Sequence, residues 1–168
     1  MLNIIGDGEH AGVIRDAVEG WGDTIIGIGS PATRRKVARE MAGTRWAKVI
    51  HQTAVVSRGA VISGGVYVGP CAVVNRGAHI GAHAIINSGA IVEHDVTIGE
   101  FVNVNPGAAI GGGARIGDGT VLGLGCRVRD HISIGKDVTV GMGAVVVCDV
   151  PDGVTVMGCP AKVTTCAT

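Results

Sequence analysis

Aromatic side chains are nearly missing from this sequence, whose 168 residues include one Phe, one Tyr and two Trp. A core of stacked aromatic plates is therefore excluded, and the interior must be packed from small aliphatic side chains. Net charge is missing too. Lys plus Arg and Asp plus Glu each number 14, so the formal charge is zero; this argues against a nucleic-acid or acidic-membrane partner and against steering by net charge. No apolar run approaches the roughly 20 residues of a membrane-spanning helix. The opening Met1 to Ile5 is too short for the apolar core of a secretory leader. Five cysteines (Cys71, Cys126, Cys148, Cys159, Cys166) are odd in number and lack any CxxC spacing. They are expected to be reduced thiols of a soluble, cytoplasmic protein.

What the chain does contain is glycine, 29 residues of it, and a 46% hydrophobic content that points to a folded protein. From Ile50, every sixth residue through Val146 is aliphatic, seventeen positions without a break. Four residues after many of them stands alanine, as at Ala72, Ala78, Ala84 and Ala90, and glycine often follows the aliphatic residue directly, as at Gly81, Gly99 and Gly117. Such a short fixed period is the mark of a parallel β-solenoid in which each hexad makes a short strand and a turn. A helix would need a period near 3.6 and would not tolerate this much glycine.

The pattern, over the last two thirds of the chain, resembles the hexapeptide-repeat acyltransferases. The resemblance implies a mainly β fold: a left-handed parallel β-helix of five to six triangular coils over residues 49–150, three hexads to a coil. A small, truncated α/β lobe would precede it over 1–48, and a closing segment would follow over 151–168. Residues eighteen apart then stack at roughly 4.8 Å, one strand spacing. His94, two positions after the inward Val92, falls near a corner and should face outward.

The stretch Asn87 to Gly99, NSGAIVEHDVTIG, is similar to the segment that carries the general base in the transferases that acetylate sugars of the sialic-acid and bacillosamine pathways. The resemblance therefore implies His94 as base and Asp95 as the carboxylate that orients its ring. The chemistry suits the pair, because imidazole titrates near neutrality and can take a proton from an amine or hydroxyl attacking a thioester. A neighbouring carboxylate fixes the tautomer and stabilises the imidazolium. Gly112, one coil on from His94, is implied to offer its N–H to the thioester oxygen of acetyl-CoA, the co-substrate, and to leave room for pantetheine. Asn103 stands where relatives carry a second histidine that bonds the acetyl group. Leu124, Met142 and Gly143 fall where relatives line the cofactor, and Lys162, in the closing VPDGVTVMGCPAKV, is placed to meet a cofactor phosphate. The remaining histidines of the repeat, His51, His79, His83 and His131, are expected to be solvated.

The first 48 residues do not follow the hexad. LNII reads as a buried strand, and GDGEHAG places Gly6, Gly8 and Ala11 in G-x-G-x-x-[GA] spacing before a helical run from Val13 to Trp21. A dinucleotide fold would need a second strand ending in an acidic residue, and TIIGIGSP has none, so NAD is not expected. In the next helix Ser30 can cap, Pro31 suits the first turn and Gly43 can end it. Arg34, Arg35, Lys36 and Arg39 are expected to form a solvated face. Together GDGEHAG, IGSPATRR and VIHQTA resemble the amino-terminal lobe of the same sugar acetyltransferases, which implies Gly8 and His10 beside a nucleotide-linked sugar. One strand–helix unit of that lobe, which helps hold the nucleotide base in relatives, is missing between Gly22 and Thr24.

The resemblance thus implies a homotrimer, with cofactor between adjacent prisms, that moves an acetyl group from acetyl-CoA to the amine of a nucleotide-linked amino sugar. The alternative acceptor is a hydroxyl of sialic acid or a related sugar. Two other classes use the same prism. A γ-carbonic anhydrase-type lyase needs three histidines on zinc, and His79 and His83, four apart, lack an evident third, so no metal is expected. A non-catalytic scaffold would bind no acetyl-CoA.

Overall fold

From Val49 to Val146 the chain repeats a two-residue strand and a four-residue turn, as its hexads predict. The computed structural model describes residues 3–6 and 24–164. In each strand the second residue points inward and the first outward: Val92 is fully buried while Ile91 is 37% exposed. Directly before the strand's first residue, small side chains such as Ala90 and, one coil later, Ala108 are fully buried and let the chain bend toward the next face. The strands occupy three faces, beginning with Val49–Ile50 (face I), Val55–Val56 (face II) and Val61–Ile62 (face III). Each pairs in parallel with the strand eighteen residues away, so Ile91 stands between Val73 and Ala109. Hydrogen bonds such as Ile91 N–H to the Ala108 carbonyl, 2.9 Å, run from coil to coil. The inward aliphatics form one continuous column from Ile62 to Val156, each contributing about 1.5–3 kcal/mol by burial.

The left-handed β-helix is as expected, but the count of coils differs. Face II has six strands and face III five, whereas face I has eight, the last antiparallel. The extra rungs come from Thr155–Met157 and Lys162–Val163. They escape the hexad because Val140 pairs with Val156, sixteen residues on rather than eighteen; the final coil is shorter, and the period that reveals the others is lost.

Of the amino-terminal lobe, strands Asn3–Ile5 and Thr24–Ile26 pair in parallel. The helical run Val13 to Trp21 and the glycine-rich turn beyond Gly6 lie outside the described residues. The helix Pro31–Glu40 (α1) begins where Ser30 Oγ accepts the Thr33 N–H at 3.3 Å, with Pro31 in its first turn, and Gly43 follows its end at φ 87°. Ile25, Ala47, Val49, Tyr67 and Ile85 join this lobe to face I.

Two expectations are overturned at that junction. Arg34 is not solvated; it is 1% exposed. Its Nε donates to the His83 carbonyl (3.1 Å), Nη1 to the carbonyls of Ile28 (3.0 Å) and Gly29 (2.8 Å), and Nη2 to the Phe101 carbonyl (2.9 Å) and Asn103 Oδ1 (2.6 Å). All five guanidinium donors are matched. Burial lowers its pKa to about 10, which leaves it charged at neutral pH. His83 is not solvated either, at 5% exposed. Its ring stacks on Phe101 (centroids 5.0 Å apart, planes 7°) and meets the edge of Trp46 at 4.7 Å. The ring fits because Gly65, one coil earlier, has no Cβ to occupy its place.

Burial first, and the Arg34 charge second, hold the His83 pKa below the ordinary imidazole value. His83 is therefore folded in the neutral form, with its Nδ1 unpaired. A base whose folded pKa is depressed contributes its full stability above its unfolded value, about 6.5, and loses it as pH falls below that toward the folded value. The thermal midpoint should drop between about pH 7 and about pH 5, and His83→Asn, whose side chain tolerates the local φ of 58°, should reduce that slope. Equal slopes in the two chains, followed by circular dichroism, would contradict the assignment.

Candidate active site

The corner between faces II and III is formed on each coil by a turn after the face II strand. On the coil of Ile91–Val92 that turn is Glu93, His94, Asp95 and Val96. Val96, fully buried, anchors it to the core. Asp95 adopts φ 59° and its N–H donates to the Arg76 carbonyl of the preceding coil at 3.1 Å. His94 and Asp95 therefore project outward, with side chains 61% and 71% exposed, as the period requires. His94 Nδ1 lies 3.0 Å from Asp95 Oδ2. Glu93 is turned aside, its Oε2 accepting from Asn75 Nδ2 at 3.0 Å.

With Nδ1 held by the carboxylate, Nε2 is the free nitrogen of His94, and it lies over Gly112. A Cβ on Gly112 would fall 2.6 Å from Nε2, so any other residue there would displace the ring. The Gly112 N–H meets no acceptor among the described residues, while the N–H of Gly113 donates to the His94 carbonyl at 2.9 Å. The corner thus presents a base, its orienting carboxylate and an open backbone donor within one coil spacing. Chemically it can take a proton from a nucleophile while stabilising negative charge on an oxygen beside it.

The other expected residues are not gathered here. Leu124 and Met142, 54% and 78% exposed, stand on successive coils at the corner between faces I and II, where the Gly143 N–H donates to the Leu124 carbonyl at 2.8 Å. Lys162 is exposed on the last strand of face I. Gly8 and His10 lie outside the described residues. Asn103 departs from expectation: it is 8% exposed, its Oδ1 accepts from Arg34 and its Nδ2 donates to the Gly29 carbonyl at 2.7 Å. Both ends of its amide are engaged at the lobe junction, so in this chain Asn103 serves to join lobe and prism. His79 is exposed on a strand while His83 is buried under Phe101, so this pair does not converge as zinc ligands.

Sequence reasoning also passed over two features. A groove of about 560 Å³ opens at the corner between faces III and I beside α1. Its charges are largely paired, Arg35 with Asp137 and Lys136 with Asp118, each at 3.3 Å. The second feature is the placement of His131, expected to be solvated and 75% exposed, whose ring overhangs Gly113 from the following coil.

No model of a protein family matches the chain. No curated protein sequence matches it either. Solved structures do. The acetyltransferase domain of PglB from Neisseria gonorrhoeae is 32% identical, with 97% of this chain and 98% of that one covered and a TM-score of 0.92; it has also been solved with acetyl coenzyme A. PerB from Caulobacter crescentus, in complex with CoA and GDP-perosamine, is 32% identical over 97% of this chain and 96% of that one, with a TM-score of 0.93. WeeI from Acinetobacter baumannii is 28% identical over 90% and 76%, with a TM-score of 0.65.

Gly112 does not occupy the left-handed region of backbone space, so alanine there strains no dihedral and acts only through its methyl group. Gly112→Ala should displace the His94 imidazole, read as a shift of its ring resonances by NMR, with a thermal midpoint changed by no more than a few degrees. An unmoved His94 signal would show that the ring does not rest on Gly112.

Proposed function

The chain belongs to the hexapeptide-repeat sugar acetyltransferases, and on that premise we propose that it moves the acetyl group of acetyl-CoA onto the amine of a nucleotide-linked amino sugar, with His94 as general base. The observation that carries this reading is the orientation of His94, with Nδ1 on Asp95 and Nε2 free over Gly112. In that tautomer the Nε2 lone pair receives a proton from the attacking amine, and Asp95 stabilises the imidazolium that results. The Gly112 N–H, unpaired within the described chain, donates to the thioester oxygen as its charge grows in the tetrahedral intermediate. The acceptor class follows from the similarity to PerB, a perosamine N-acetyltransferase bound to GDP-perosamine. Gly8 and His10 are the acceptor-side residues of this reading, in a glycine-rich turn whose N–H groups suit a phosphate if they open a helix.

The working unit is a homotrimer. Gly112 and His94 stand at one corner of the prism, and the cofactor positions Leu124, Met142 and Gly143 stand at another, across face II. A single prism keeps these corners apart; a neighbouring copy brings its own second corner to the first. Face II suits burial between copies, since its outward residues include Val55, 61% exposed, Ile91 and the half-buried Val73, Ala109 and Val145, with Arg127 the one charge among its outward strand positions. Lys162 is then available for a cofactor phosphate. No helix among the described residues is long and apolar enough to cross a membrane, in keeping with a soluble sugar-nucleotide enzyme.

His94→Ala should lose roughly 10²- to 10⁴-fold in turnover with acetyl-CoA binding intact, and Asp95→Asn should lose less. The acceptor is tested with UDP-, GDP- and dTDP-linked 4-amino sugars beside free sialic acid. Acetylation of the free sugar alone would replace the amine with a hydroxyl acceptor, and failure to bind acetyl-CoA would reduce the chain to a scaffold.

Light scattering should give a mass about three times the 16.9 kDa chain. Full activity from a species of single-chain mass would refute the shared site.

A further inference from the structure

Resting on the acetyl-transfer reading above, we propose that His131 is a second catalytic residue: the general acid that protonates the sulfur of CoA as it leaves. The register stacks Val92, Ile110 and Val128 on successive coils, so the turns after them stack as well. The middle turn is Gly111, Gly112 and Gly113. Below it stand Glu93, His94 and Asp95, and above it Arg129, Asp130 and His131. The three glycines leave a notch at the corner, and one imidazole reaches into it from each side. A Cβ on Gly112 would lie 2.6 Å from His94 Nε2, and a Cβ on Gly113 would lie 2.5 Å from His131 Nδ1. Two ring nitrogens thus stand beside adjacent glycines of one turn, one from the coil before and one from the coil after.

The two histidines are furnished alike. Asp95 Oδ2 lies 3.0 Å from the remote nitrogen of His94, and Asp130 Oδ2 lies 3.9 Å from the remote nitrogen of His131. In each case the carboxylate stands by one ring nitrogen and leaves the other directed at the notch. His131 is also tied to the floor of the notch, its own N–H donating to the Gly112 carbonyl at 2.9 Å. Its φ of 55° turns its side chain back over the preceding coil rather than away from it. Around it the charged and titratable groups are Asp130, Arg129, Asp149 on the following coil (which accepts the Ser133 N–H at 2.8 Å), and His94 and Asp95 across the glycines.

This placement matches the order of events on a thioester whose oxygen rests on the Gly112 N–H. The amine arrives on the His94 side. Its lone pair forms the C–N bond, and one N–H proton passes to His94 Nε2. The C–S bond then breaks, its electron pair goes to sulfur, and sulfur takes the Nδ1 proton of the His131 imidazolium. The products are the N-acetyl sugar and the CoA thiol; His94 ends protonated and His131 neutral. Both side chains are exposed, 61% and 75%, so exchange with water restores them. Met142, a cofactor position, lies on a coil beyond Gly112, the same axial side as His131.

His131→Asn is the test, since Asn tolerates the left-handed φ at this position. With acetyl-CoA its kcat should fall about 10- to 100-fold, at or below the low end of general acid catalysis, with KM for acetyl-CoA and the thermal midpoint little changed. With 4-nitrothiophenyl acetate as donor, whose thiolate leaves without a proton, His131→Asn should match wild type, whereas His94→Ala should stay slow. An unchanged kcat with acetyl-CoA, or an equal loss with both donors, overturns the role of His131 alone. A wild-type chain that transfers no acetyl group from acetyl-CoA to any acceptor overturns the proposed function and this inference with it.

Discussion

Parallel stacking of chain segments eighteen residues apart is the constraint on which the rest of the structure depends. Every strand from Val49 to Val146 is only two residues long, too short to hold a sheet by itself, so each must find its partners on the coils before and after it. The hydrogen bonds run along the prism axis, and the aliphatic column inside must keep one side-chain size range throughout. This explains the scarcity of aromatics, which would burst a triangular coil, and the abundance of glycine, which lets successive corners approach closely. Gly117 illustrates the second point: a Cβ there would lie 2.6 Å from the carbonyl carbon of Gly135 on the next coil.

The same stacking turns corners into columns, and columns make the candidate site. A residue at a corner meets the equivalent positions one coil away, so a histidine there is shaped by what its column neighbours lack. His94 has its place because Gly112 has no side chain, and His131 has its place because Gly113 has none. A run of three glycines therefore works as a built notch with an imidazole on either side. The notch is open to solvent in one chain, and its cofactor wall, in the functional reading, comes from a neighbouring prism.

The lobe is joined to the prism by different physics. Arg34 places a positive charge in an interior with no carboxylate bonded to it and is held by carbonyls from α1's approach, from one corner of the prism on two successive coils and from Asn103. Such a group costs much to desolvate, and what offsets that cost is the full matching of its five donors. Around it, His83 stacks on Phe101, and Arg35 lies 5.5 Å from the Phe101 ring while pairing with Asp137. The aromatics among the described residues, Phe101, Trp46 and Tyr67, are thus concentrated where the lobe meets the prism. This junction sets where the amino-terminal lobe sits relative to the corners.

The hexad by itself determined the solenoid, the inward column, the outward direction of His94 and Asp95 and the position of Gly112 one coil on. All of these follow from the phase of a residue within its own coil, which a period of six reveals directly. Capping residues Ser30 and Pro31 likewise disclosed α1, because a cap acts within one turn. Tertiary structure alone decided what covers an outward residue. Arg34 and Arg35 are adjacent and alike in sequence, yet only the docking of α1 buries the first. His83 and His131 occupy equivalent left-handed corner positions, but one lies beneath the lobe and the other in the open glycine notch. Asn103 was read for its spacing from His94, and its amide is taken by residues some seventy positions earlier in the chain. No period links the lobe to the prism, and contacts between segments without a common repeat arise only when the two surfaces meet.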